Sequence, residues 1–134
     1  MATGTAGTPA REYPQQMVHY LRKGITFADN GLTVDVGYLP AGAQMIKPMS
    51  GVAINVAFDG NATNTLDIGP STDAGTNLWM TAGSLATIAF VPLDEAVSMT
   101  VSVDTLVQAL VTSTAAAAAG QAEIIICYVV DNDQ

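Results

Sequence analysis

Residues 52–69 read VAINVAFDGNATNTLDIG, and this stretch decides the fold class. Its first half places an apolar side chain at every second position: Val52, Ile54, Val56 and Phe58. Alternation with period two predicts a strand whose apolar side fills a core while the intervening small and polar residues face the opposite way. Asp59-Gly60 then signals a turn, and we expect Thr65–Ile68 to return as the partner strand of a hairpin.

Short apolar runs of the same kind continue along the chain from Ile25, separated by Gly, Pro, Asn and Asp, which is typical of all-β proteins. The predicted strands are 33–39, 52–58, 65–68, 78–81, 85–91, 97–103, 105–112 and 122–130. Within 97–103 the apolar residues at alternate positions are expected to face the core: Val97, Met99, Val101 and Val103. About seven or eight strands in one domain, without a βαβ pattern, predict an antiparallel β-sandwich or jelly roll.

Residues 105–119 allow two interpretations. The spacing of their Leu and Val residues fits a helix, and the alanine run that follows has the highest helix propensity. Val and Thr dominate 105–112, however, which favours a strand followed by a loop of small residues. We prefer the strand, joined in a long hairpin to residues 122–130. That last strand is apolar on both faces in its middle, so we expect it to be central or covered on both sides.

The N-terminal region differs from the rest. Residues 1–16 are small, polar and proline-containing, a composition that cannot bury enough apolar area to fix itself. Residues 17–22 are compatible with either a turn of helix or a strand. We therefore divide the chain into an extended N-terminal arm, residues 1–24, and a jelly-roll β-sandwich domain, residues 25–134.

Charge is scarce and unevenly placed. Only 12% of the residues are charged and 49% are hydrophobic, a balance common in proteins packed against other subunits because charged groups are depleted from interface cores. The same balance also occurs in plain secreted β-domains. The net charge is -8. The sequence after Lys47 contains nine acidic residues and no Lys or Arg. Such a body repels phosphate backbones, so we expect no nucleic-acid partner.

No apolar run is long enough to cross a membrane, and the first residues lack the features of a signal peptide, so we expect no membrane partner and synthesis in a cytoplasm.

The search for catalytic or metal-binding groups finds none. His19 is the single histidine, and Cys127, the single cysteine, lies in an apolar run where a buried thiol is expected. Asp59, Asn61 and Thr63 have the spacing of a calcium loop, but Asn64 and Pro70 stand where that loop needs Gly and Glu, so a turn is favoured. We predict no catalytic residues, no cofactor and no metal, and hence no enzyme.

Trp79 and Tyr38 suggest an alternative function. Sandwich domains often present aromatic rings to carbohydrate, which would make the chain a lectin-like receptor- or glycan-binding module. A single Trp between Leu78 and Met80 is more typical of a core or an interface.

Sequence segments within residues 33–70 and 120–130 resemble a pattern found in small structural proteins of tailed bacteriophages. The matching segments are Leu39-Pro40-Ala41-Gly42, Val52–Phe58, Asp59-Gly60, Thr65–Gly69 and 120–125. Asn61 departs from the pattern, in which a glycine follows the Asx-Gly turn, and so does the five-alanine run before Gly120.

That resemblance implies a head decoration, or cement, protein: a jelly roll on the capsid exterior that locks neighbouring major capsid subunits together. The implied partners are the major capsid protein and other copies of this chain in a homo-oligomer, and the implied location is the virion. An extended arm can order on a neighbour. We therefore expect Arg11, Tyr13, Arg22 and Lys23 to form part of the docking surface; the alternative is that the arm is only a disordered tail.

Overall fold

The protein is described by a computed structural model that covers residues 18–73, 76–114 and 117–130. Nine strands are found there: β1 (His19–Thr26), β2 (Thr33–Leu39), β3 (Gln44–Met45), β4 (Gly51–Val56), β5 (Asn64–Pro70), β6 (Met80–Ser84), β7 (Phe90–Pro92), β8 (Thr105–Ser113) and β9 (Gln121–Val129). Two single turns of 3-10 helix, Phe27–Asp29 and Lys47–Met49, join them, and these ranges contain no α-helix.

The strands form two antiparallel sheets. The first has the order β1-β9-β4-β7, with β3 also paired to β9, and the second has the order β2-β8-β5-β6. The first strand, β1, thus pairs with the last, β9, and β2 pairs with β8, while β4 pairs with β7 and β5 with β6. This nested pairing is the winding of a jelly roll, so the predicted all-β sandwich is confirmed.

The core lies between the two sheets and contains the side chains that alternate inward from each. Its fully buried members include Ile25, Leu39, Val52, Leu66, Ile68, Met80, Val107, Val111, Ile124 and Ile126. These residues come from both sheets, so removal of their apolar surface from water is the main force that holds the layers together.

Three predicted strands are confirmed closely. β2 has the predicted bounds, residues 105–113 form a strand and no helix, and β9 lies between β1 on one side and β3 with β4 on the other. The buried thiol predicted at Cys127 is also found.

Both predicted hairpins are wrong. β4 belongs to the first sheet and β5 to the second, so the chain around Asp59-Gly60 crosses from one layer to the other and does not fold back. The same holds for β8 and β9, which lie in opposite sheets. Turn residues show where the chain reverses, but they do not show whether it stays in the same sheet.

Two predictions of which side chains face the core also fail in part. The register of β4 on β9 shifts between Ile54 and Val56, so the bulge turns Val56 outward and leaves it 41% exposed. Residues 97–103 form no continuous strand; Met99 and Val101 are buried, whereas Val97 and Val103 are exposed because only Thr100 makes a bridge, to Gln44.

The boundary predicted after residue 24 does not coincide with the start of the sandwich. β1 begins at His19 and pairs with β9 along its whole length, so the boundary drawn between residues 24 and 25 falls inside a strand. Residues 1–17 lie outside the described residues, and the extended arm stays a prediction there.

Candidate interaction surface

The outer face of the first sheet carries mostly apolar or small side chains. On the central strand β9, Ile124 and Ile126 point into the core, so Glu123 and Ile125 point outward, where both are half-buried. The pairing registers place further outward residues beside them. The apolar face, as we name this surface, consists of Tyr20, Arg22, Gly51, Ala53, Phe90, Pro92, Glu123 and Ile125.

Tyr20 and Phe90 provide the exposed apolar area at the two ends of this face. The Tyr20 side chain on β1 is 61% exposed and Phe90 on β7 is 43% exposed. Between them stand Gly51 and Ala53, which have little or no side chain to hold a neighbouring molecule away. At Gly51 an added Cβ would lie 2.1 Å from the Val91 carbonyl oxygen, so the close approach of β4 and β7 requires glycine.

The charges on the apolar face neutralise each other. Arg22 Nε donates to Glu123 Oε2 at 2.9 Å and Arg22 Nη2 donates to Glu123 Oε1 at 2.8 Å, a two-pronged pair across β1 and β9. The hydrogen bonds to Glu123 and its negative charge raise the pKa of Arg22 above its ordinary value. Such an exposed pair adds little stability, but it leaves this face without net charge.

The unneutralised acids lie elsewhere. Glu12, Asp131 and Asp133 are outside the described residues, so nine of the twelve acids are placed. Of these nine only Glu123 is on the apolar face. Asp35 and Asp67 are on the outer face of the second sheet, and the others lie in the connections between strands. The molecule therefore separates a neutral apolar face from an acidic remainder.

The four residues predicted to dock a partner are only partly placed. Arg22 lies on the apolar face, paired with Glu123. Lys23 is exposed but points to the alternate side of β1, opposite Ile124. Arg11 and Tyr13 lie outside the described residues.

Sequence reasoning missed Tyr20, Phe90 and Ile125 as members of this surface. The sequence of β9 could have indicated this surface. A strand with apolar residues on both faces packs one face on the core and needs another partner to cover the other face.

Other candidate chemistry is accounted for by structure. The calcium-like pattern at Asp59 is used internally, because its Oδ1 accepts hydrogen bonds from the backbone N–H of Ala118 at 2.8 Å and of Ala119 at 2.9 Å. Within 18–73, 76–114 and 117–130 no three His, Cys, Asp or Glu side chains converge as metal ligands would. Nor does this part of the chain contain a helix long and apolar enough to span a membrane.

The aromatic pair considered for carbohydrate is not presented as a platform. Trp79 is only 2% exposed and belongs to the core, whereas Tyr38 is 64% exposed on β2. A sugar ring needs an open aromatic face to stack on, and the Trp79 ring does not offer one.

Two chains in solved structures share this fold over most of their length. One is from the cyanophage Pam1 capsid asymmetric unit, with a TM-score of 0.62, 20% sequence identity, and 97% of this chain and 99% of that chain covered. The other is from the acidic stable capsid structure of Helicobacter pylori bacteriophage KHP30, with a TM-score of 0.69, 14% identity, and 88% and 91% covered. At these identities the likeness shows the fold. No protein-family model matches the chain, and no curated protein matches its sequence.

Proposed function

We propose that this chain is a non-enzymatic structural protein of a phage virion, which binds the outer surface of the capsid and stabilises contacts between major capsid subunits. The observation that carries the proposal is the near full-length likeness to chains from two phage capsid structures. Because most of each neighbour is matched, the likeness concerns a whole chain of this size and not a domain within a larger subunit.

The apolar face is the proposed contact with the capsid. Interface centres are depleted of charge and enriched in aromatic residues, and this face combines Tyr20 and Phe90 with a neutralised Arg22–Glu123 pair. Its small residues at Gly51 and Ala53 allow another surface to approach the backbone closely. The acidic second sheet faces solvent in this arrangement and keeps the decorated particle soluble.

The apolar face alone is smaller than a standard interface. Its four strands have 8, 9, 6 and 3 residues, and so average about 20–25 Å in length; at about 5 Å apart they present roughly 400–500 Å². A stable complex buries about 800 Å² per partner. The N-terminal arm supplies the missing area in this proposal, with Arg11 and Tyr13 beside Arg22 and Lys23 of β1. An arm that orders on a neighbouring subunit extends the contact across a subunit boundary.

The stabilising effect follows from mass action. A protein that binds the assembled shell and not its separated subunits shifts the equilibrium toward the shell. Self-association of copies on the symmetric shell multiplies the effect, since each bound copy raises the effective concentration of the next contact. The chain is made in the host cytoplasm and acts on the capsid exterior.

Co-sedimentation tests this proposal. Capsids of the virus that encodes the chain, assembled without it, are mixed with the purified protein, pelleted, and then heated with and without it. We expect the protein to pellet with the capsids and to raise the temperature at which they break. Failure to co-sediment would refute the proposal. Retention on a glycan array would instead support the alternative function, a receptor- or glycan-binding module of a phage fibre or spike.

A matched pair of variants tests the face. Tyr20→Asp introduces a charge at a residue on the apolar face that is 61% exposed. We expect it to weaken capsid binding about tenfold or more, since it makes a neutral face net negative and a charge buried in an interface without an equal opposite charge is costly. Leu32→Asp adds the same charge at a residue 55% exposed just before β2, outside the apolar face, and should leave binding unchanged. Equal weakening by both variants would count against this face.

A further inference from the structure

The free edge of β1 is a second feature of the first sheet. Among the described strands β1 pairs with β9 alone. The Phe27 N–H donates to the Gly120 carbonyl at 3.2 Å, which continues this ladder by one pair beyond β1. Because main-chain groups alternate in direction along an antiparallel strand, Tyr20, Arg22 and Gly24 turn their N–H and C=O groups away from β9. Within 18–73, 76–114 and 117–130 these groups have no main-chain partner.

The other sheet edges carry features that oppose pairing. β7 has only three residues and contains Pro92, which cannot donate to a ladder. Register shifts interrupt the pairing of β2 between Asp35 and Gly37 and the pairing of β6 with β5, and such bulges twist an edge away from a further strand. β1 has eight residues and no proline, and it pairs with β9 without a shift. It is therefore the most regular edge in the described part of the fold.

A second copy of β1 fits this edge when it runs antiparallel, with Arg22 on the twofold axis. That register places Tyr20 opposite the partner's Gly24 and Arg22 opposite the partner's Arg22, so the unpaired groups of all three residues gain partners. The Tyr20 side chain is 61% exposed, and nothing lies within 4 Å of the Cβ position at Gly24. An aromatic ring on the opposite strand compensates for a glycine at a sheet edge. Each Tyr20 ring thus covers the glycine of the other copy.

The charges of β1 permit this pairing. Like charges directly opposite each other destabilise a sheet, but each Arg22 already donates two hydrogen bonds to its own Glu123. The two ion pairs therefore meet at the axis without net charge. Lys23 stands opposite the partner's Leu21, whose apolar surface the methylene stem of Lys23 can cover. Glu123 is the only acid of β1 and β9, so no unneutralised acids of these strands are brought together.

The pairing also enlarges the apolar face. A twofold axis between antiparallel strands is perpendicular to the sheet, so both copies turn this face to the same side. Two faces of roughly 400–500 Å² together present roughly 800–1,000 Å². That reaches the area of about 800 Å² that each partner buries in a stable complex, beyond what the N-terminal arm contributes. The shortfall of a single face therefore favours a second copy as the occupant of this edge.

We propose that two copies of the chain pair through the free edges of their β1 strands, with Arg22 on the twofold axis, and so join their first sheets into one. The inference deepens the self-association in the proposed function, but it concerns the protein without a capsid, so the two proposals can fail separately. A single strand edge is a small contact. We expect a weak dimer in solution, with a dissociation constant on the order of 100 µM.

Cysteine crosslinking tests the pairing and its register. In a Cys127→Ser background, Arg22→Cys places two thiols on opposite residues whose Cα atoms are about 5.5 Å apart, within the range of a disulfide. Lys23→Cys is the matched control, since both positions are exposed but the second pair of Cα atoms is about 8–9 Å apart, beyond that range. After mild oxidation of the full chain, we expect covalent dimers of Arg22→Cys to form about tenfold faster than those of Lys23→Cys.

Sedimentation equilibrium up to about 1 mM measures the association of the unmodified chain. We expect Tyr20→Ser to raise the dissociation constant about tenfold, because the symmetry removes its ring contact twice. Phe90→Ser changes a residue at the opposite edge of the apolar face and should leave the constant unchanged. Thermal unfolding checks that both variants remain folded.

Four results would overturn the proposal. The wild type could stay monomeric at about 1 mM, which would leave the β1 edge to another polypeptide or to the chain's own N-terminal segment. A trimer in place of a dimer would be incompatible with a twofold pair of edges. Equal crosslinking of Arg22→Cys and Lys23→Cys would exclude the register. Equal weakening by Phe90→Ser and Tyr20→Ser would show that the apolar face itself holds the copies together.

Discussion

At Asp59 one carboxylate joins two connections that are distant in sequence. Its hydrogen bonds to the N–H groups of Ala118 and Ala119 tie the crossover between β4 and β5 to the crossover between β8 and β9. These bonds favour the charged carboxylate and lower its pKa below the ordinary value, with the bond from Ala119 as the largest cause. The sequence pattern that resembled a calcium loop therefore serves to hold the loops together.

The Asp59 contacts predict a stability that depends on pH. A pKa lowered in the folded state stabilises the fold above the unfolded value of about 4, and this contribution is lost as the pH falls through the folded value. We expect Asp59→Asn to lower the melting temperature at pH 7 and the difference from wild type to shrink below about pH 4. Asp94→Asn is the control and should show no such convergence. A constant difference between pH 7 and pH 2 would contradict this role of the charge.

Gly120 predicts a second effect at the residue scale. Its φ is +150°, a conformation rare for residues with a side chain, and an added Cβ would lie 2.6 Å from the Phe58 ring, which is buried. Strain and overpacking together should make Gly120→Ala less stable by about 2 kcal/mol or more in urea denaturation. Gly24→Ala, which meets nothing within 4 Å and has an ordinary φ, should change stability by less than about 0.5 kcal/mol. Equal effects of the two substitutions would show that the Phe58 contact is unimportant.

Among the elements, β9 has the largest role because it is central in the first sheet and supplies both the core and the apolar face. Its inward Ile126 is fully buried, whereas its outward Ile125 is only half-buried. The two sides of one strand thus separate folding from binding.

A pair of truncations on β9 measures this separation. Ile126→Ala should lower the free energy of unfolding by about 2–5 kcal/mol, as expected for a buried isoleucine. Ile125→Ala should cost clearly less stability but reduce capsid binding, because its side chain lies on the proposed contact. Chemical denaturation and co-sedimentation provide the two readouts, and a larger loss of stability for Ile125→Ala would reverse the assigned faces.

The sequence identified elements better than it identified their partners. β2, β8 and β9 were predictable because alternation and β-branched residues depend on local chemistry. The hairpin at Asp59-Gly60 was not, because the choice between pairing back and crossing to the other sheet depends on contacts with β8 and β9. The segment 97–103 misled for a related reason: its alternation is real, but its partner β3 is only two residues long.

At the scale of the whole molecule, the candidate surface is built from strands far apart in sequence. Arg22 was predicted to dock, yet its pairing with Glu123, 101 residues away, follows only from the β1 and β9 register. Tyr20 and Phe90 also lie on the apolar face only because the strand registers bring β1 and β7 into the same sheet. Charge could be counted from sequence, but its separation into a neutral face and an acidic remainder required the fold.

The central claim is that the apolar face contacts the capsid exterior. Cryo-electron microscopy of capsids carrying the bound chain tests it most directly. We predict density for the jelly roll outside the shell, with the outer face of β1-β9-β4-β7 against the capsid subunits and the outer face of β2-β8-β5-β6 toward solvent. A chain found inside the shell or on a fibre, or one that contacts the capsid through its second sheet, would contradict the account.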